Sequence, residues 1–298
     1  MGKFTSHERA PIFIINKVDN ETLPQSFRFI ENSILLPGVT LSDDGFRIGC
    51  ECEEDGDCKR AGCGCLSDMN VDDSEVDKKI YVYHSWGPSR GCLRGSFLDS
   101  RAPIYECHSQ CGCTEHCPNK VVDRGRRIPL QIFRTENGRG WGVRSTVDIK
   151  VGQYVDKYLG EIMTAYQAKF RRQKSHVAQK KDVYLFALDK FSDPGSQDPR
   201  LAGDPYEVDG EFKSGPTRFI NHSCEPNLRI FARVGAHADR HVHDLAFFAI
   251  EEIPAGTELT FDYVDGSSDT ATDARDQKKR KDMTRCLCGT RSCRGYLW

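Results

Sequence analysis

Fourteen cysteines, twelve of them in three tight groups, constrain this chain more than any other feature. Cys50, Cys52, Cys58, Cys63 and Cys65 follow the spacing C-x-C-x5-C-x4-C-x-C; Cys107, Cys111, Cys113 and Cys117 follow C-x3-C-x-C-x3-C. Disulfides need an oxidising compartment. The opening MGKFTSHERAP has no apolar h-region, so a secretory route is not expected. Clustered cysteines in a reducing compartment are read first as zinc ligands. Nine thiolates do not divide into separate four-ligand sites. Three zinc ions need twelve bonds, which nine sulfurs supply if three of them bridge. The expectation is therefore a three-zinc cluster with six terminal and three bridging sulfurs. Its net formal charge of −3 would be offset by Lys59, Arg60 and Lys120. Few apolar residues recur with any period over 50–127, so metal is expected to take the place of a core there.

The third group, Cys286, Cys288 and Cys293, has spacing C-x-C-x4-C and leaves a tetrahedral zinc one ligand short. Cys224 is one candidate for the fourth ligand; a water or a histidine is another. Cys92 fits no group and is read as simply buried.

The rest of the chain is globular in composition, with 38% apolar residues and a net charge of −2. No apolar run is long enough to span a membrane, and no charge excess calls for nucleic acid. A loose myristoylation pattern runs through Gly2 and Ser6. Sequons at Asn20 and Asn221 would matter only on a secretory route. Residues 1–49 read as a partly extended lead-in. From Ile128 the pattern turns to strands: PLQIFRT, VRSTVDI, QYVDKYLGEIM, VYLFALD, YEVDG and LAFFAIEEI. Residues 165–181 are helix-compatible, 192–205 read as a loop, and 264–285 have no periodicity.

Three stretches occur in order: Gly138-Arg139-Gly140-Trp141-Gly142, then Arg218-Phe219-Ile220-Asn221-His222-Ser223-Cys224, then Glu258-Leu259-Thr260-Phe261-Asp262-Tyr263. Flanked by both cysteine modules, this set resembles the SET-domain lysine methyltransferases of the Suv39 type, over residues 50–298. The short form without a chromodomain is similar to the heterochromatin trimethyltransferases of filamentous fungi. The resemblance implies a mostly β fold with a few helices, built of small curved sheets with a C-terminal pseudoknot. It implies a pre-SET zinc-cluster module (50–127), a SET catalytic domain (128–266), a linker (267–283) and a post-SET zinc-binding tail (284–298). It places NHSC beside FDY.

The implied reaction is methyl transfer from S-adenosyl-L-methionine to a lysine amine, with zinc purely structural. Arg139, Gly140, Trp141, Tyr184, Arg218, Asn221, His222 and Trp298 are the expected cofactor contacts; Trp141 offers a π face to a sulfonium. Tyr263, Tyr158 and Phe261 are expected around the target amine, together with Asn221 and His222. Leu297 and Trp298 are expected to wall the lysine channel. The implied substrate is the histone H3 tail at lysine 9, trimethylated in the nucleus, on heterochromatin. Residues 182–211 carry net charge −6, which would attract a basic tail. Asp189 is the expected contact for an arginine beside the target lysine. A monomer with no membrane contact and no sequence-specific nucleic-acid binding is expected. Two rival readings are a SET enzyme for another lysine and a non-catalytic zinc-dependent chromatin-binding module. The intact NHSC and FDY motifs argue against the second.

Overall fold

In the computed structural model, residues 3–4, 10–52, 54–69, 78–174, 184–264 and 283–297 are described. The Gly2 and Ser6 pattern, nearly all of the 267–283 linker, Trp298 and the Arg60 side chain lie outside them. No described helix is long and apolar enough to cross a membrane.

Strands organise the fold. One six-stranded sheet runs Lys3–Phe4, Ile12–Ile15, Leu130–Arg134, Trp141–Ser145, Glu258–Phe261, Asn221–His222. A four-stranded sheet runs Tyr154–Tyr158, Asp244–Ala249, Leu228–Val234, Ile104–Tyr105. Another runs Leu185–Ala187, Glu207–Asp209, Glu161–Met163, Ile34–Leu35. The lead-in is thus woven into the sheets: Ile12–Ile15 pairs in parallel with Leu130–Phe133.

QYVDKYLGEIM reads as one strand but forms two, in different sheets. Gly160 sits at the break, where an added Cβ would lie 2.3 Å from the Asp209 carbonyl oxygen. Only a glycine lets the chain cross its neighbour so closely. Leu228–Val234 was not singled out, although its apolar residues bury against two cores. Ala165–Lys174 is helical as expected.

Three cores follow. The largest joins Ile12, Leu130, Ile132, Val143, Phe219, Phe247 and Phe261. A second joins Val82, Tyr83, Leu93, Phe97 and Ile104 to Tyr154, Phe231 and Phe248. The cysteine-rich half therefore does have apolar packing where it meets the sheets, contrary to the reading of 50–127 as coreless. The third core is the sulfur cluster, lined by Leu66 and Tyr81. Fully buried Glu106 locks the junction: it accepts from the Val121, Val122 and Asp123 amides at 3.0, 2.8 and 3.1 Å and from Arg233 Nε at 3.0 Å. A buried carboxylate is tolerable only with partners of this number.

Candidate active site and metal centres

The first two cysteine groups, far apart in sequence, fold into one cluster. Sulfurs of Cys50, Cys52, Cys58 and Cys63 lie within 4.8 Å of one another, and so do those of Cys50, Cys65, Cys107 and Cys111. Cys50, Cys58, Cys107 and Cys113 form a further such group, and Cys117 engages both Cys107 and Cys58. Three sulfurs recur: Cys50, Cys58 and Cys107. Two of the four-sulfur sets hold a pair of them with two other cysteines, and the third holds all three with Cys113, while Cys117 engages the pair Cys58 and Cys107. That is the sharing required for three zinc ions on nine sulfurs. Backbone N–H groups of Cys50 and His108 donate to Cys111 Sγ at 3.4 and 3.2 Å, and Lys120 Nζ caps the Cys113 carbonyl at 2.9 Å. Burial pushes the Cys52 thiol up to about 12. Zinc must therefore displace protons when it loads, so acid favours its loss. Cys92 is buried and apart from all three groups.

The shared sulfurs lead to a prediction. Cys107→Ser weakens two zinc positions together, whereas Cys52→Ser touches one. Zinc content by elemental analysis is expected to fall by about two ions per chain in the first variant and about one in the second. Equal losses would contradict the sharing.

Cys224, Cys286, Cys288 and Cys293 bring their sulfurs within 4.8 Å of one another, so Cys224 is the fourth partner of the tail. Arg294 N–H donates to Cys224 Sγ at 3.3 Å. Its guanidinium grips Asp262 at 2.6 and 2.9 Å, and Ser292 N–H donates to Glu225 at 2.8 Å.

NHSC and FDY run side by side: Asn221 pairs with Thr260 and His222 with Phe261, in parallel. Asn221 Nδ2 donates to Glu258 Oε1 at 2.8 Å and to the Trp141 carbonyl at 3.1 Å. Glu258 also receives Arg139. An added Cβ on Gly142 would lie 2.8 Å from Glu258 Oε1 and would press on the carboxylate that holds Asn221 and Arg139. The Asn221 amide nitrogen, the atom a glycan would occupy, is thus engaged twice within the fold. Burial pushes His222 down to about 4, so its ring is neutral near pH 7.

Arg139, Gly140, Trp141, Tyr184, Arg218, Asn221 and His222 all line one cavity of about 330 Å³, closed on one side by tail residues 284–287 and Leu297. The guanidiniums of Arg139 and Arg218 and the aromatic faces of Trp141 and Tyr184 suit a ligand with an aromatic base, a carboxylate and a sulfonium. Arg218 lies 4.3 Å over the Tyr184 ring. Leu297 is buried in this cavity and is not among the residues lining the second, described next.

A second cavity, of about 410 Å³, is lined by Phe186, Ala187, Asp189, Phe261 and Tyr263 among others. Tyr263 lines both cavities. Phe261 is 4.7 Å from the Tyr263 ring, 5.0 Å from Phe247 and 5.9 Å from Phe186. Tyr158 meets Phe186 at 4.7 Å and donates to the Tyr184 carbonyl at 2.9 Å. Tyr263 donates to the Ile220 carbonyl at 2.8 Å. Burial holds both phenols well above their usual range, so both stay protonated.

The acidic stretch needs correction. Glu207 and Asp209 are buried and ion-paired with Arg172 and Arg171, and Asp198 binds Arg200. Asp189, Asp193 and Asp204 are the exposed acids left among its described residues. The exposed acidic surface is therefore smaller than a count of −6 implies. Glu258, Asp262 and Arg294 were not anticipated as site residues. Their motifs held the first two in plain view, but only the fold shows what each one grips.

A model of the SET domain family matches residues 140–264, and a model of the Pre-SET motif matches residues 4–120. The Neurospora crassa histone-lysine N-methyltransferase, H3 lysine-9 specific dim-5, is 57% identical over 99% of this chain and 90% of its own length. An H3 lysine-9 specific histone-lysine N-methyltransferase of Fusarium mangiferae is 53% identical, also over 99% and 90%. The solved structure of the Neurospora SET domain protein DIM-5, a histone lysine methyltransferase, matches with a TM-score of 0.80 at 55% identity, covering 94% of this chain and 100% of that one. Arabidopsis thaliana SUVH6, solved in complex with SAM, matches with a TM-score of 0.69 at 25% identity, covering 98% of this chain and 54% of that one.

Proposed function

The chain belongs to the SET-domain histone-lysine N-methyltransferases, and from that premise we propose that it trimethylates lysine 9 of histone H3 in the nucleus, on heterochromatin. The observation that carries this reading is the position of Tyr263, which lines a cofactor-sized cavity on one side and a peptide-sized cavity on the other. Methyl transfer between two separately bound partners needs such a joint.

When bound, S-adenosyl-L-methionine supplies a methyl group on a sulfonium centre. Trp141 and Tyr184 offer it aromatic faces, and Arg139 and Arg218 offer guanidiniums to its carboxylate end. Glu258 fixes Arg139 and Asn221, so these groups are in place before the cofactor arrives. On the other side, Leu185–Ala187 is an edge strand beside the second cavity. An extended tail can add to that edge and direct one lysine between Phe261, Tyr158 and Tyr263. That aromatic, water-poor passage lowers the amine's pKa and favours the neutral nucleophile. Tyr263 and Tyr158, both protonated, orient the amine and do not deprotonate it. Alignment then supplies most of the rate.

The test is a panel of histone peptides with labelled methyl donor, read by mass spectrometry. Lysine 9 peptides are expected to gain up to three methyl groups, and peptides lacking that lysine none. Asn221→Ala, His222→Ala and Tyr263→Phe are each expected to cut turnover by more than about tenfold, or about 1.4 kcal/mol of transition-state stabilisation. Asn221→Ala and His222→Ala should also weaken cofactor binding. Full rate and affinity in all three would refute the assignment.

A further inference from the structure

Five cations gather away from both cavities, where the cysteine-rich half meets the sheets. Arg90, Arg127 and Lys150 are exposed, and Arg94 and Arg124 are half-buried. The loop from His84 to Cys92 closes on itself, with the Gly91 N–H on the His84 carbonyl at 2.8 Å and the His84 N–H on the Cys92 carbonyl at 2.9 Å. It is seated on the turn at Lys150–Gly152: the Leu93 N–H donates to the Gly152 carbonyl and Lys150 Nζ to the Pro88 carbonyl, each at 2.6 Å. On its other side Arg94 Nε reaches the Tyr83 carbonyl at 3.3 Å, and Tyr83 OH meets Glu106, which holds the amides of 121–123. Burial depresses the Arg124 pKa, and the positive charges of Arg127 and Arg90 depress it further, so these three guanidiniums share one neighbourhood.

None of the five has a carboxylate partner among the described residues. Arg124 donates to a backbone carbonyl instead, that of Glu115, at 3.1 Å. The acids nearby are engaged elsewhere. Glu106 and Asp123 hold Arg233, Asp156 holds Arg126, Asp148 accepts from the Ala255 amide, and the Glu115 carboxylate faces His116. Like charges gathered without counter-charges repel one another in the free protein and attract a polyanion. Trp86, in the same loop, is 82% exposed. An exposed tryptophan beside arginines is the composition of an interface rather than of ordinary surface.

The position of the cluster indicates which polyanion it meets. The six-residue helix Gly95–Ser100 starts at Arg94 and ends at Arg101, which lines the second cavity. Six helical residues rise about 9 Å. Histone octamers are wrapped in DNA, so a surface this close to a cavity that takes a histone tail lies within reach of DNA phosphates. Guanidiniums fork onto phosphate oxygens.

We propose that Arg90, Arg94, Arg124, Arg127, Lys150 and Trp86 form a docking surface for the phosphate backbone of duplex DNA, which holds the chain on chromatin without regard to base sequence. The near-neutral charge of the whole chain conceals this surface. Only its placement beside the tail rests on the reading under Proposed function.

The test uses the zinc-loaded full chain and a duplex of about 30 base pairs of arbitrary sequence, with affinity read by fluorescence anisotropy over a series of salt concentrations. Arg90→Gln/Arg127→Gln is expected to weaken binding about tenfold at low salt and to lower the salt slope by about 1.8, the share of two phosphate contacts. Arg90→Lys/Arg127→Lys keeps both charges and is expected to keep the slope. Lys17→Gln/Lys169→Gln removes two charges elsewhere on the surface and is expected to leave affinity and slope near wild type. On a free histone H3 peptide, kcat and KM of Arg90→Gln/Arg127→Gln should stay within about twofold of wild type, while on nucleosomes KM should rise about tenfold. Absence of wild-type binding to the duplex would overturn the proposal, and so would equal losses in the two glutamine pairs. Tighter binding to single-stranded RNA of the same length would overturn it in favour of RNA. Unchanged duplex affinity with a defect on nucleosomes alone would overturn it in favour of an acidic protein face. Melting curves check folding; if the Arg90→Gln/Arg127→Gln pair melts early, the two single variants carry the test, each expected to lower the slope by about 0.9. Failure of the wild-type chain to methylate the H3 peptide would sink the substrate reading and leave the binding result standing.

Discussion

Replacing Cys288 by serine is expected to reduce methyl transfer by at least about a hundredfold while leaving the melting transition of the sheets nearly unchanged. The tail reaches the site from beyond 264 and holds on at few points. Its own contacts are local: Cys286 N–H to the Gly295 carbonyl at 2.8 Å and Leu297 N–H to the Thr284 carbonyl at 2.9 Å. Among the described residues its anchors to the rest include the four sulfurs, the Arg294 contacts to Asp262, His222 and Cys224 Sγ, and the Ser292–Glu225 hydrogen bond. The hydrogen bond is exposed and contributes little, and the partly buried Arg294–Asp262 pair contributes about 1.5–3 kcal/mol. A structural zinc is worth about 10 kcal/mol or more in small metal-folded units. Metal therefore decides whether the tail docks. Undocking removes residues 284–287 and Leu297 from one wall of the 330 Å³ cavity. The sheets lose nothing, because the tail contributes to none of the three cores. Circular dichroism, cofactor affinity and turnover on one preparation read all three. Near-normal turnover would show that the tail is not part of the site. A chelator that strips this zinc first should copy the variant.

How much of this was open to sequence reading depends on the range of the interaction. The sulfur arithmetic works from composition and spacing alone, because zinc's need for four ligands is independent of the fold. Which three sulfurs bridge is not in the spacing; it depends on Cys107 being folded back against Cys50 and Cys58. NHSC and FDY were legible as motifs, and their adjacency followed from resemblance rather than from any local signal. Glu258 shows the limit. It lies inside a quoted motif, yet its grip on Arg139 and Asn221 spans well over a hundred positions in the first case. Glu207 and Asp209 show the opposite error. Counted as charges they promised an acidic surface, but burial beside Arg171 and Arg172 spends them on the fold. Gly160 hid a strand break for the same reason, since the neighbour that demands a glycine is the distant Asp209.

Phe261→Tyr is expected to keep the first methyl transfer and lose the later ones, shifting product from trimethyl- toward mono- and dimethyl-lysine. Phe261 is 3% exposed and packed among Phe186, Phe247 and Tyr263, yet it also lines the 410 Å³ cavity beside Tyr263. Its para carbon is thus the place where a new oxygen would enter the amine's surroundings. An oxygen there can hold the amine, or a water beside it, by a hydrogen bond. Once the nitrogen carries a methyl group, it must rotate to aim its lone pair at the donor, and the held water takes up the room that rotation needs. Phenylalanine has no such atom, so mono- and dimethyl-lysine can still turn. A contrary outcome is distinguishable. If Phe261 only packs the core, the added hydroxyl is a buried group without a partner and costs about 1–3 kcal/mol. Stability then falls, and all three transfers slow by the same factor. Peptide mass spectra over time, beside a melting curve, separate the two. An active Phe261→Tyr enzyme with an unchanged product distribution would place the lysine passage elsewhere.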